Sequence, residues 1–221
     1  MGCAASTAEI PIELAENKDT EQLTVFNSKY VVPGPKNMML HLKAQVFSFS
    51  GDTYKIKDSN NENTVVFQCQ GKFLSFEHKR VICDADGMPI FVITEPLMQI
   101  DDKQVVHRVT PEGKPSEELF RVGSNFGNTA QYTQNLKNTK GHAITLNGKM
   151  TLVSMKGGIW LGPAGKGQAV AKVCSPVTYK DFLPDDFDRN DYIVEIPPGV
   201  DSALILAMVL AYEKMEQTYD C

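Results

Sequence analysis

The residues at the start of the chain, Met1-Gly2-Cys3-Ala4-Ala5-Ser6, are the ones whose types and spacing most directly suggest chemistry. With Met1 removed, Gly2 presents an α-amine, and Ser6 stands where an N-myristoyltransferase prefers a small hydroxyl residue. Cys3 beside it offers a thiol for a second acyl chain. One myristoyl chain holds a protein at a bilayer only marginally and reversibly, so a second signal is required. The common polybasic signal is missing from the tail, where Glu9, Glu13, Glu16, Asp19 and Glu21 face Lys18 alone within residues 1–22. Anionic lipid repels such a tail, which makes palmitoylation of Cys3 the expected second signal. The plain alternative is an unmodified start made of small residues.

Two further groups carry charge in a usable pattern. His78, Lys79 and Arg80 form a basic group between Phe76 and Val81. On a hairpin such a group can meet a phosphorylated head group through charge-assisted hydrogen bonds, or can simply be a solvated face that blunts strand-to-strand aggregation. Lys103, His107 and Arg108 are a weaker second group. Asp181, Asp185, Asp186, Asp188, Asp191 and Glu195 make an acidic segment. Calcium takes about six to eight oxygens, and Asp186 and Asp188 supply some, but the turn glycine and bidentate terminal glutamate of an EF-hand loop are missing. The expectation is an exposed acidic loop with no metal.

Hydrolytic or nucleotide chemistry finds little support. His41, His78, His107 and His142 fit no His-Glu-x-x-His arrangement, and no Gly-x-Ser-x-Gly elbow occurs. Gly162 to Gly167 lacks the Gly-Lys-Ser/Thr ending of a phosphate loop. Cys69 and Cys83 sit in apolar alternating runs and read as small buried hydrophobes. Neither a catalytic residue nor a cofactor is expected. A net charge of -5 with a pI near 5.4 argues against nucleic-acid binding by bulk electrostatics. Cys3, Cys69, Cys83, Cys174 and Cys221 match no zinc spacing, and no Asn-x-Ser/Thr acceptor occurs, which suits a reducing cytosolic setting. Cys221 has no residues after it and cannot be prenylated as a Caax cysteine. The start of the chain also lacks the basic and apolar regions of a secretory signal.

These groups must be carried by something, and most of the chain reads as strands. From Gln22 onward, runs rich in Val, Ile, Phe, Tyr and Thr alternate with turn clusters. The predicted runs begin with Gln22–Asn27, Met39–Ser50, Thr53–Lys57, Thr64–Gln68, Lys72–His78, Arg80–Cys83, Pro89–Ile93, Leu97–Ile100 and Val105–Val109. They continue with Leu119–Val122, Thr129–Thr133, Ala143–Leu146, Met150–Met155, Ala169–Val173 and Tyr192–Ile196. Asp86-Gly87 and Asn147-Gly148 predict hairpin turns, and Gly157-Gly158 predicts a loop. One element differs. After Pro197-Pro198-Gly199 and a cap at Asp201 or Ser202, the run Ala203–Tyr212 is apolar on every side, with Glu213-Lys214-Met215-Glu216 as a charged exit. At about half of the ~20 residues a membrane span needs, it predicts a helix buried on all sides inside a closed sheet.

The order of these segments resembles the LURP-one-related family, which is similar in turn to the Tubby C-terminal domain and the phospholipid scramblases. Tyr54-Lys55-Ile56-Lys57-Asp58 followed by Val65-Val66-Phe67 is similar to that family's early hairpin. Lys79 to Ile90, in which a basic pair precedes an Asp, a Gly and a Pro, is similar to its second hairpin. Ala169–Val173 resembles a late strand, and Asp191–Asp201 leads into the apolar helix as the family's last segment does. The family usually carries a Trp near Gln104–His107, whereas the only Trp here is Trp160. The resemblance implies a mainly β fold, a Tubby C-terminal-like closed barrel of about twelve strands wrapped around a buried hydrophobic C-terminal helix. The expected organisation is an acylated flexible tail over 1–21, the barrel over 22–217 and a C-terminal tail over 218–221.

The expected function is that of a non-enzymatic, monomeric barrel tethered by Gly2 and Cys3 to the cytosolic face of a membrane, the plasma membrane first. It would bind membrane lipid there, a phosphoinositide or another anionic lipid, through His78, Lys79 and Arg80, as the Tubby likeness implies, or else a protein partner. Two alternatives stand beside this. One is a calcium-dependent, scramblase-like mover of lipids, whose relatives have an acidic segment in the comparable place. The other is a soluble protein-interaction module without lipid binding.

Overall fold

The helix dictates the architecture. In the computed structural model, which describes residues 12–43, 54–62, 64–70, 80–95, 103–124, 130–151, 156–174 and 191–219, α1 (Ser202–Tyr219) follows the last strand and runs through the middle of a sheet. Every residue from Ala203 to Ala211 has zero exposure. Each Leu, Ile, Val or Met so buried stabilises the fold by roughly 1.5–3 kcal/mol relative to leaving it in water, and only a sheet that curves fully round the helix can supply that burial.

The strands are β1 (Met38–Lys43), β2 (Tyr54–Asp58), β3 (Thr64–Gln70), β4 (Arg80–Asp84), β5 (Pro89–Thr94) and β6 (Lys103–Val109) in the first half. They are followed by β7 (Pro115–Ser124), β8 (Ala130–Gln134), β9 (Leu146–Thr151), β10 (Lys156–Leu161), β11 (Gln168–Cys174) and β12 (Asp191–Ile196). Each pairs antiparallel with the next, and β12 returns to β1 in the register Met38↔Ile196 to Lys43↔Asp191, which closes the barrel. Among the described strands, closure leaves none at an edge to pair with another chain. The period-2 alternation of strands sends Leu40, Leu42, Ile56, Phe67, Ile82, Phe91, Ile93 and Val106 inward to the helix.

One end of the barrel is plugged. Leu23, Val25 and Phe26 are buried there, with the Phe26 ring 5.3 Å from that of Phe91. Leu23–Phe26 is therefore core, but Gln22–Asn27 is not the predicted strand: its backbone turns, and the N–H groups of Val25 and Phe26 go to a side chain instead of a ladder. The described β-hairpin connections cluster at this end, and the Asp86-Gly87 turn between β4 and β5 is one of them, with Gly87 at φ +82°. Glu213 lies at the opposite end, where Asp191 begins β12.

Other expectations need correcting. Asn147-Gly148 is no turn. A two-residue I′ turn needs positive φ at both positions, and neither residue has it. Both lie inside β9, opposite Trp160 and Ile159 of β10, and a Cβ on Gly148 would stand 2.8 Å from Gln131 Oε1. Gly157 and Gly158 belong to β10, where a Cβ on Gly157 would meet the Lys149 carbonyl oxygen at 2.3 Å. Ala143 forms only an isolated bridge with Lys137, and β9 starts at Leu146. The helix continues through the supposed charged exit to Tyr219, because Glu213, only 4% exposed, receives the Tyr192 hydroxyl at 3.0 Å inside the barrel. The predicted runs Lys72–His78 and Leu97–Ile100 lie outside the described residues.

Candidate functional site

The outer wall of β10 has an unusual cover. Ile159 faces the helix, so strand alternation turns Gly158 and Trp160 outward. Trp160 is nevertheless only 5% exposed. A Cβ built on Gly158 would lie 2.9 Å from Ile12 Cδ1 and 2.9 Å from the Trp160 ring, so the segment beginning at Ile12 crosses the barrel at this point. Five residues later Asn17 is buried at the plugged end. Its N–H donates to the Pro198 carbonyl at 2.9 Å, and its Nδ2 donates to the Gly199 and Asp19 carbonyls at 3.1 and 2.7 Å. The part of the expected tail from Ile12 onward is thus a strap fastened to the barrel. Replacing Ile12 with Ala is expected to red-shift Trp160 fluorescence while costing only about 1 kcal/mol, since the side chain is half-buried. Unchanged emission would mean that Ile12 does not cover the indole.

The plug is organised by two carboxylates. Asp201 is fully buried. Its Oδ1 accepts the N–H of Ala203 at 3.0 Å and of Leu204 at 3.3 Å, which caps α1, while its Oδ2 accepts the N–H of Val25 at 3.0 Å and of Phe26 at 2.9 Å. Burial pushes its carboxyl up to about 6, against these four N–H groups, which favour the charge. Asp84 accepts N–H groups from Asp86 and Met88 in the β4–β5 turn and takes the Lys29 ammonium at 2.7 Å. Burial raises the Asp84 carboxyl, but Lys29 and the turn amides outweigh it and hold the group below its ordinary value. Both arrangements fasten the N-terminal segment to the barrel mouth. Beside them an open groove of about 530 Å³ is lined by Asp19, Glu21, Asn138, Lys140, His142 and Leu161. Its lysine is already bonded to Glu21.

The residues singled out in the sequence fall as follows. Gly2, Cys3, His78 and Lys79 lie outside the described residues, and Arg80 opens β4 opposite Ile93 at the end away from the plug. Lys103 and Arg108 stand at opposite ends of β6, about 17 Å apart at strand spacing, so they do not form one site. Between them His107 Nε2 lies 2.9 Å from Thr94 Oγ1, and the Arg108 guanidinium faces Glu117 at 3.6 Å. Asp181, Asp185, Asp186 and Asp188 lie outside the described residues. Asp191 is the exception in that acidic segment: it is buried in β12 and its Oδ2 is 2.8 Å from His41 Nε2 across the β1–β12 seam. Glu195 accepts from Asn37 Nδ2 at 2.7 Å. Among the described residues no group of three or more His, Cys, Asp or Glu could hold a metal ion, and no helix is long and apolar enough to cross a membrane. Cys69 and Cys83 have no exposure. Burial, with Asp84 and Cys69 nearby, pushes the Cys83 thiol up to about 11, far from a reactive thiolate.

Sequence reasoning offered Asp201 or Ser202 as the cap but missed the second pair of N–H donors on Asp201, which come from the other end of the chain. It also missed the strap. The one local signal for the strap is an exposed-face tryptophan flanked by glycine, which needs a cover.

A sequence model of the family described as LURP-one-related matches residues 38–213. Among solved structures, an Arabidopsis thaliana protein determined by X-ray crystallography superposes with a TM-score of 0.56 at 18% sequence identity, covering 89% of this chain and 98% of that one. At that identity the likeness concerns the fold. No curated protein matches the chain.

Proposed function

The chain belongs to the LURP-one-related family, and from that premise we propose that its barrel is a non-enzymatic module held at the cytosolic face of a membrane, the plasma membrane first, by acyl chains on Gly2 and Cys3. It acts there as a monomer and binds an anionic lipid head group, a phosphoinositide among them, or a protein. The observation that carries this reading is the Gly2-Cys3-x-x-Ser6 start, joined by a short tether to a strap that lies on the barrel's outer wall. The axis of the barrel is filled by α1, which leaves its outer surface and connections to do the binding. His78, Lys79 and Arg80 remain the head-group candidates. A scramblase-like reading is less well supported, because the helix it would use for insertion is the barrel's own core.

The test is the intact mass and membrane fractionation of the full chain from its own cells, wild type against Gly2→Ala. The expected result is a myristate mass increment, with Gly2→Ala released to the soluble fraction. An unmodified N-terminus on a soluble wild-type protein would overturn the anchor and with it this function.

A further inference from the structure

The charge of this chain is unevenly distributed. Although the whole carries -5, the stretch from Leu119 to Lys180 contains no Asp or Glu and eight Lys or Arg. Strands β8 to β11 fall inside that stretch and are consecutive neighbours in the closed barrel, so they form one continuous wall without a carboxylate of its own. Lys149 of β9 and Lys172 of β11 are the cross-strand partners of Gly158, and Lys156 precedes Gly158 by two residues on the same face. All three backbones stand within about 5–7 Å of Gly158, and the glycine between them adds no side chain of its own. Lys149 and Lys156 are exposed and Lys172 is half-buried. Glu195 of β12 is the cross-strand partner of Lys172 and accepts from Asn37, Glu13 belongs to the strap, and Glu21 is bonded to Lys140.

The strap crosses this same wall at Gly158, so the tether toward Gly2 departs from the middle of the lysines. Gly2 and Ile12 are ten positions apart. Fully extended, that length of chain spans at most ~36 Å, which limits how far the bilayer can stand from this wall. We propose that the outer wall of β8–β11, centred on Lys149, Lys156 and Lys172, is the face that docks on anionic lipid of the membrane. This rests on the acylation reading and, for the head-group face, takes the place of the His78-Lys79-Arg80 group, because Arg80 opens β4, six strands round the closed barrel from β10. The polybasic second signal that the tail lacks is assembled by the fold, from strands more than a hundred residues away in the sequence. Myristate on Gly2 and this wall together make two signals even without an acyl chain on Cys3.

The test uses the full chain carrying Cys3→Ser and myristoylated by co-expression, with vesicles of phosphatidylcholine alone or mixed with phosphatidylserine. Binding to the mixed vesicles is expected to exceed binding to phosphatidylcholine. The combined Lys149→Gln, Lys156→Gln and Lys172→Gln variant is expected to bind the mixed vesicles about 100-fold more weakly, each lysine near an anionic surface contributing about fivefold, with binding to phosphatidylcholine unchanged. A control with Lys36→Gln, Lys55→Gln and Lys114→Gln, off this wall, keeps the wild-type preference. If the first variant keeps it too, the wall is overturned while the anchor stands. Preference for RNA over either vesicle overturns the wall as well. If the myristoylated protein binds neither vesicle, the membrane reading itself fails.

Discussion

Asp201→Ala is expected to lower the unfolding free energy at neutral pH by about 3–5 kcal/mol. Four buried N–H groups, of Val25, Phe26, Ala203 and Leu204, lose their acceptor at once, and each orphaned donor costs about 1–3 kcal/mol. Against this stands the relief of a buried charge. A carboxyl raised from 3.8 to about 6 by burial corresponds to about 3 kcal/mol, at about 1.4 kcal/mol per unit. The donors outweigh the charge, so the net effect is destabilising. The same shift sets a pH dependence. Because the folded value lies above the unfolded one, the contribution of Asp201 is complete below about pH 4 and is lost as pH rises through about 6. The stability gap between wild type and variant should therefore narrow by about 2 kcal/mol from about pH 4 to about pH 6.5. Urea unfolding at several pH values measures it, and amide exchange at Val25 and Phe26 locates it. A gap that widens with pH would mean that the four N–H groups, not burial, govern this carboxyl. A loss below about 1 kcal/mol would mean that water replaces the carboxylate at the helix start.

The helix and its wrapping sheet were legible because both follow from local pattern. Ala203–Tyr212 has no polar face, and β4 and β5 are short apolar runs bounded by turn or polar residues that read as strands without partners. The errors lie where a residue answers to a neighbouring strand. Asn147-Gly148 carries the composition of a turn, yet Gly148 is there because Gln131 of β8 fills the space its side chain would need. Gln22–Asn27 carries the composition of a strand, yet its amides are claimed by Asp201, about 175 residues later. The absence of carboxylates from Leu119 to Lys180 stands in plain view in the sequence. It acquires meaning only once β8–β11 are known to be adjacent, since a net charge of -5 averages a basic wall into an acidic molecule. The proposed anchor at Gly2 rests on the motif alone. That the strap beginning at Ile12 crosses that wall was not legible, because the approach of Ile12 to Gly158 spans most of the chain.

Two glycines with nearly the same backbone conformation should separate the strap from ordinary turn strain. Gly87 has φ +82° and nothing within 4 Å of an added Cβ, while Gly199 has φ +83° and its Cβ would stand 2.0 Å from the Asn17 carbonyl oxygen. Gly87→Ala is thus expected to cost only the left-handed backbone penalty, about 1–2 kcal/mol. Gly199→Ala carries the same penalty and in addition drives Asn17 away from Pro198 and Gly199, for a total of about 3–4 kcal/mol. The difference between the two variants measures what fastens the strap. Trp160 emission then distinguishes local from global effects: Gly199→Ala should red-shift it in the folded protein, and Gly87→Ala should not. Equal costs with unshifted emission would show that Asn17 does not hold the strap, which would also remove the physical reason for the tether to leave from the lysine wall. If instead the emission shifts while vesicle binding survives, the lysines act as a surface independent of the strap, and the strap serves only to cover Trp160 when no membrane is near.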